Sequence, residues 1–374
     1  MNCALSDKGC GGCRDLKCAY GESLKNKENR IRALYPDCEK ILGAEKPVHY
    51  RNKVLRSFAN GKQKLYAGFY REGTHQILSV KDCLLEDETA SRIAFDAAEI
   101  LADLGCDAYR EDFHKGTVRH MIIRRAFHTG DCLLTIVTGT EDFSMGTEFA
   151  ARISRKYPCI KGVIQNLNPR NSSAVLGFRD RLLFGKDEIW DEMCGLDVCL
   201  NSRSFYQVNT PQAEKLYEIA VRNAALTKED RVLDAYSGVG VIGMCAAMRA
   251  GQVTGIEIVK PAVECARKAA RKNGIENISF LCGDVLQALR DENAHYTCVF
   301  VDPPRAGCSA EFISALVNHA PERIVYISCF PDTLKRDTNY LEANGYTLQA
   351  VKPVDMFPYT EHVETITLMS RINK

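Results

Sequence analysis

A chain of 374 residues, 45% hydrophobic and 26% charged, has the composition of a folded protein with room for two domains. No apolar run approaches the roughly 18 residues a membrane span needs, and MNCALSDKGCGGCRD lacks the apolar core of an export signal, so a cytoplasmic protein with no membrane partner is expected. A net charge of +1 excludes strong long-range attraction to polyanions, so any nucleic-acid binding must use a local basic face.

Residues 15–45 are rich in Lys, Arg and Glu and read as helical. Residues 48–80 carry short alternating runs, KLYAGFY and HQILSV, that predict strands. ETASRIAFDAAEILADLG has apolar residues at helical spacing and ends in Gly105. RHMIIRRAF and CLLTIVTGT predict two more strands, EFAARISRKY a helix and GVIQNLN a strand, giving a mixed α+β first region. The character changes near residue 204. Strand-like RVLDAYSGVG, QVTGIEIV, ISFLCGDV, TCVFVDPP, RIVYISC and ETITLM alternate with helical segments, the pattern of a doubly wound parallel sheet. The expected division is 1–204 and 205–374, with residues 15–45 able to pack on the second region.

Seventeen cysteines without an export signal point to packing, metal ligation or nucleophilic chemistry, not to disulfides. Cys106, Cys132, Cys159, Cys245, Cys265, Cys282 and Cys298 lie in apolar or alternating segments and are expected to pack.

In RVLDAYSGVGVIG, Gly238, Gly240 and Gly243 follow a strand and open a helix. This G-x-G-x-x-G also serves dinucleotides. Asp234, Glu257 and Asp284 end or follow three successive strands, and carboxylates there suit the sulfonium, ammonium and ribose diol of S-adenosylmethionine; a nicotinamide cofactor stays open on this segment alone. VFVDPPRAG places two prolines after Asp302, a stiff loop against which a flat base or amide is held. Cys329 stands at the tip of YISCFP, where a strand end faces the ligand crevice of a doubly wound sheet. In DMFPYTEHVETITL, Glu364 opens the last strand and His362 lies two residues before it. A cysteine and a glutamate around one base are what C5 methylation of a pyrimidine needs. A thiolate adds to C6 and makes C5 nucleophilic, and a general base then removes the C5 proton.

SFYQVNT, LDAYSGVGVIG, GIEIVKPAVECARKAARKN, LCGDV, VDPPRAG, YISCFPDTLKRD and DMFPYTEHVET together resemble the RNA uracil-5-methyltransferases, over most of residues 204–366. The resemblance implies a Rossmann-like class I methyltransferase domain of α/β type, preceded by an α+β domain that carries a cysteine-ligated cluster. It implies Gln207 near cofactor and base, Tyr236 packed on S-adenosylmethionine, Glu257 on its ribose, Asp302 beside the base, Cys329 as nucleophile and Glu364 as base. Phe330 departs from the family, which usually has a polar residue after the nucleophile. Some members bind a [4Fe-4S] cluster, and Cys3, Cys10 and Cys13 form a matching C-x6-C-x2-C run, with Cys83 as the implied fourth ligand, Cys18 as a rival and zinc as the competing metal. With the run beginning at residue 3, the family's small RNA-binding barrel is expected to be absent. That short form resembles enzymes of 23S rRNA more than those of tRNA, and no DNA partner is expected. The target uridine must be turned out of its stack to reach Cys329. Candidate phosphate contacts are Arg119, Arg124, Arg125, Arg152, Arg155, Lys156, Lys25 and Lys27, each equally readable as a solvated surface residue.

Overall fold

The computed structural model describes residues 3–62, 64–172, 174–291 and 294–372. The chain forms two compact units, one of Met1–Lys17, Lys46–Glu192 and Leu200–Arg203, the other of Cys18–Glu45, Met193–Cys199 and Ser204–Lys374.

In chain order the elements up to residue 201 are α1 (Tyr20–Leu34), β1 (Lys53–Asn60), β2 (Leu65–Tyr70), β3 (Ile77–Ser79), α2 (Glu88–Asp103), β4 (Val118–Arg125), β5 (Cys132–Thr138), α3 (Gly146–Lys156), β6 (Ile160–Leu167), β7 (Arg179–Gly185), β8 (Glu188–Met193) and β9 (Leu196–Asn201). The first unit is built on a seven-stranded sheet of order β3-β2-β1-β4-β5-β6-β7. Only β5 and β6 pair in parallel, through the crossover helix α3. Asp87 caps α2 by accepting from the Ala90 amide, and Ala90, Ile93, Ala94, Ala97 and Leu101 form its buried stripe. These side chains join Val54, Phe58, Met121 and Ile123 in one core, so α2 covers a single face of the β1, β2, β4 region. On that face the buried Arg56 guanidinium pairs with both oxygens of Glu86.

The second unit continues with α4 (Thr210–Asn223), β10 (Arg231–Ala235), α5 (Val241–Ala247), β11 (Gln252–Glu257), α6 (Lys260–Lys272), β12 (Ile278–Cys282), α7 (Val285–Arg290), β13 (Cys298–Val301), α8 (Ala310–His319), β14 (Arg323–Ser328), α9 (Pro331–Ala343), β15 (Tyr346–Val354) and β16 (Glu364–Arg371). Its sheet order is β12-β11-β10-β13-β14-β16-β15. The first five of these strands run parallel, and β16 enters antiparallel between β14 and β15. This is the doubly wound arrangement expected from the alternating strand and helix segments. Strand order reverses between β10 and β13, and a ligand crevice opens at such a switch point beyond the strands' carboxyl ends.

Helix α1 belongs to this second unit although it precedes the whole first sheet. Its buried stripe, Ser23, Lys27 and Ile31, carries a lysine at its centre. Lys27 Nζ donates to Asp355 Oδ1 at 2.6 Å and to the Phe357 carbonyl at 2.9 Å, while Tyr20 Oη donates to Asp355 Oδ2 at 2.7 Å. The helix thereby tethers the segment between β15 and β16. Lys27 is thus a buried structural cation, contrary to its expected place among phosphate contacts.

Three strand groups depart from the sequence reading. β7 is almost wholly exposed, so RDRLLFG lacks the alternation that marks a half-buried strand. β15 carries a register shift between Leu348 and Ala350, which breaks its period. β8 and β9 meet at Cys194–Gly195, whose φ values are 55° and 73°, a turn that neither an Asn-Gly nor an Asp-Gly pair announces. Among the cysteines expected to pack, Cys282 is exposed instead. Among the described residues no helix is long and apolar enough to cross a membrane.

Candidate active site

Strand β10 ends in Asp234, which is buried and accepts from the Gly243 amide at 2.8 Å. The chain then turns sharply: Tyr236 has φ 63°, a strained conformation for a residue with a side chain, and Gly240 has φ 83°. A Cβ on Gly240 would lie 2.4 Å from Phe280 Cζ, so this glycine is required by both backbone and packing. Tyr236 is half-buried and packs on Phe312, ring centroids 5.6 Å apart. Burial raises its phenol well above the usual range. Ser237 Oγ is buried here without a hydrogen-bond partner.

Glu257 ends β11 with its carboxylate held in place. Oε2 accepts from the Gly238 amide at 3.0 Å and Oε1 from the Val259 amide at 2.8 Å. Fixed at a strand end with lone pairs to spare, it suits a diol. Asp284 caps α7 by accepting from the Leu286 amide at 2.9 Å. That local task accounts for one of its oxygens and leaves the other exposed. Ile258, Leu281 and Phe205, 74%, 49% and 64% exposed, place apolar surface near the same strand ends.

A second cluster lies across the switch point. Asp302 follows β13, Cys329 follows β14 and Glu364 opens β16. The register Ser328↔Thr365 sets Cys329 and Glu364 at the same end of neighbouring strands. Cys329 is half-buried, two residues ahead of α9. Its thiol is pushed up to about 11 by burial, then by the charges of Glu364 and Asp302, with Arg305 opposing. The α9 amino terminus also favours a thiolate. Glu364 is 3% exposed, and its Oε2 has no hydrogen-bond partner. Burial and then Asp302 push its carboxyl up to about 8, against Arg305. Burial alone pushes Asp302 up to about 7. An unpaired carboxylate in a dry site binds a proton more tightly than in water, which is the property of a competent base near neutral pH.

Gln207 is buried and hydrogen-bonds Tyr217, whose phenol also feels the charge of Asp302. The same SFYQVNT segment holds the loop before β16: Asn209 Nδ2 donates to the Met356 carbonyl at 3.1 Å, and Gln212 Nε2, just beyond it, to the Asp355 carbonyl at 3.1 Å. Arg305 was not singled out from sequence. It is the cation that opposes the acidic pair, and its Nη2 donates to Nδ1 of His362 at 2.8 Å. Its place in DPPR was visible; its partners depend on the curl of that loop. At Phe330 the backbone is self-sufficient: its amide donates to Ser328 Oγ at 3.1 Å, and its carbonyl accepts from Thr333 Oγ1 at 3.0 Å.

In the first unit, Cys3, Cys10, Cys13 and Cys83 are all half-buried free thiols. Burial first, then the charges of Cys83, Cys10 and Cys3, push Cys13 up to about 12. Cys18 falls in the second unit. The 71–74 turn leans on this cysteine loop: Glu72 N donates to the Gly9 carbonyl at 3.0 Å, and Arg14 pairs with Glu72 at 3.1 Å.

Several expected phosphate contacts are otherwise engaged. Arg119 is buried; Nη1 donates to the Asn168 and Arg170 carbonyls at 2.6 and 2.7 Å, and Nη2 pairs with Glu111. Arg124 is buried as well. Arg125, Arg152 and Lys156 are paired with Asp87, Glu148 and Asp96. Lys25 and Arg155 are exposed, without a carboxylate partner among the described residues.

The fold and crevice define a Rossmann-like, S-adenosylmethionine-dependent methyltransferase. The family model for tRNA (uracil-5-)-methyltransferase matches residues 196–372. An uncharacterized RNA methyltransferase of Clostridium acetobutylicum is 37% identical over 385 residues, covering 100% of this chain and 84% of that protein. Another, of Caldanaerobacter subterraneus subsp. tengcongensis, is 39% identical and covers 99% of this chain and 84% of its own length. The crystal structure of Pyrococcus abyssi tRNA (uracil-54, C5)-methyltransferase with S-adenosyl-L-homocysteine superposes with a TM-score of 0.81 at 25% identity, covering 96% of this chain and 86% of that one. The chain belongs to the RNA uracil-5-methyltransferase family.

Proposed function

We propose that this enzyme methylates C5 of a uridine in 23S rRNA through a covalent bond between Cys329 Sγ and C6 of the base. The observation that carries the reading is Glu364: a buried carboxylate, one oxygen unpartnered, at the same strand ends as the half-buried Cys329 thiol. S-adenosylmethionine, when bound, supplies an electrophilic methyl group. Glu257 takes the ribose hydroxyls, Tyr236 packs on the donor, Asp284 faces its adenine end, and Gln207 and Asp302 line the space between donor and base.

Cys329 adds as thiolate to C6, and the electron pair of the C5=C6 bond is displaced onto C5 and the C4 carbonyl. C5 takes the methyl group and is left with both methyl and hydrogen. Glu364 removes that hydrogen as a proton, the C5=C6 double bond re-forms, and the thiolate leaves. The proton on Glu364 passes to solvent. Arg305 offsets the negative charge that Cys329, Glu364 and Asp302 would otherwise concentrate in one dry pocket.

In the first unit, Cys3, Cys10, Cys13 and Cys83 are the proposed ligands of a [4Fe-4S] cluster with a structural role. Four soft thiolates suit iron–sulfur or zinc alike. Support for the iron–sulfur reading comes from the resemblance of the C-x6-C-x2-C run to that of cluster-binding family members.

The choice of 23S rRNA rests on the family resemblance of the cysteine-led first region. A tRNA substrate is favoured instead by the likeness to the Pyrococcus abyssi enzyme. Both readings are tested by incubating anaerobically purified protein with S-adenosylmethionine and unmodified 23S rRNA or tRNA, then measuring 5-methyluridine by mass spectrometry. Product on 23S rRNA, lost with Cys329→Ala, is the expected outcome. Product on tRNA alone keeps the chemistry and replaces the substrate; product that survives Cys329→Ala overturns the covalent step.

A further inference from the structure

The first unit holds a cavity of about 750 Å³ on its main sheet, lined by none of the residues placed in the chemistry above. Strand register decides which side chains face it. Ser57 pairs with Gly68 and with His120, so these three share a face with Leu55 and Tyr70, two residues along their strands. α2 packs on the opposite face, with Val54, Phe58 and Ala67. The cavity lies on the other face, where Tyr70 and Leu55 remain 49% and 40% exposed. Gly68 forms part of the floor, where a Cβ would strike the Leu78 carbonyl oxygen at 1.6 Å.

The polar groups are arranged for a neutral, flat ligand carrying an anionic tail. Ser57 Oγ shares a hydrogen bond with His120 Nδ1 at 3.0 Å. Burial, with the charge of Arg119, holds His120 down to about 4, so the ring is neutral at physiological pH and its other nitrogen is left to a ligand. His75 meets Tyr70 edge-on, centroids 6.4 Å apart, steadying the exposed ring. Both acids of the wall are already neutralised: Glu72 by Arg14 and Glu111 by Arg119. Arg71 stays exposed, with no carboxylate partner among the described residues. The far rim, at Asn171, is held by the Arg119 bonds to the Asn168 and Arg170 carbonyls.

We infer that this cavity is an accessory nucleotide site, which stacks one unpaired base of the substrate RNA on Tyr70, reads its edge with Ser57 and His120, and meets its phosphate with Arg71. The inference rests on RNA being the substrate. An aromatic side chain on an open sheet face is a stacking platform for single-stranded bases, and the cavity has the size of a small-ligand site. The base bound here is not the one methylated, because the site contains none of Cys329, Glu364 or Asp302.

The test separates binding from catalysis. RNA affinity is measured in a Cys329→Ala background, where no adduct forms, with unmodified 23S rRNA and tRNA as probes. Adding Tyr70→Ala is expected to weaken RNA binding about tenfold, the worth of one base stack, while Tyr70→Phe restores it and the affinity for S-adenosylmethionine is unmoved. RNA carrying 4-thiouridine is expected to photocrosslink to the 65–75 peptide of the protein with native Tyr70. RNA affinity within twofold of the parent after Tyr70→Ala, or crosslinks that avoid this peptide, would overturn the inference even if 5-methyluridine forms normally. Tyr70-dependent binding in a protein that forms no 5-methyluridine would uphold it and overturn the catalytic reading instead.

Discussion

The acidic pair around Cys329 sets a specific pH behaviour. Burial first, and then the negative charges of Glu364 and Asp302, disfavour the thiolate, so the Cys329 thiol lies high, near 11, while Glu364, raised mainly by burial to near 8, is ionised at pH 9 but largely neutral at pH 6. Glu364→Gln removes that charge. At pH 9 the variant's Cys329 is therefore expected to alkylate with iodoacetamide several-fold faster than the native residue, with the difference vanishing toward pH 6. Peptide-resolved mass spectrometry reads this one thiol among 17. The same substitution deletes the proposed base. With RNA and S-adenosylmethionine, Glu364→Gln is expected to accumulate a protein–RNA species that survives a denaturing gel, while 5-methyluridine falls by a factor of about 100 or more. Unchanged alkylation at pH 9 would show that Glu364 does not face the thiol; rapid turnover without an accumulated adduct would assign the proton to another group.

At the scale of elements, the site is a property of strand ends. β10, β11, β13, β14 and β16 each deliver one acidic or nucleophilic residue at or just beyond the tip facing the crevice. Those residues were legible in sequence because each follows or opens an apolar run that reads as a strand. Arg305 and Ser237 were not, since what they face depends on how two tight loops curl. β7 and β15 escaped for a different reason: one is an exposed edge strand, the other an irregular one. The phosphate contacts failed most often, because a string of arginines does not say which side of a strand is buried. Arg119 and Arg124 lie inside, and Lys27 is taken by Asp355. That last pair carries a prediction for α1. Lys27→Ala leaves Asp355 buried with its main cation gone and is expected to cost about 3–5 kcal/mol in a denaturant titration, whereas a surface change such as Lys25→Ala costs under about 0.5 kcal/mol. Equal effects of the two would mean that Lys27 is not buried in solution.

For the molecule as a whole, α1 closes a loop of 328 residues between Lys27 and Asp355. This helix is made before the whole first sheet, yet its partner segment follows all but the last strand of the second. Its fully buried stripe holds a serine and a lysine beside Ile31, with Leu24 and Leu34 partly buried against the core, and a lone 15-residue helix is marginal in water. The early chain must therefore wait, unpaired, through synthesis of the whole first sheet and most of the second. In refolding, pulse-labelled hydrogen exchange should show Tyr20–Leu34 gaining protection together with β15 and β16, and protection ahead of them would contradict this order. The loop that leads into Glu364 is tethered by the same contacts, so the proposed general base is set in place only once α1 has met the 355–357 segment. A chain caught before that contact forms would hold Cys329 without a placed Glu364, so the proposed nucleophile and base come together late in folding.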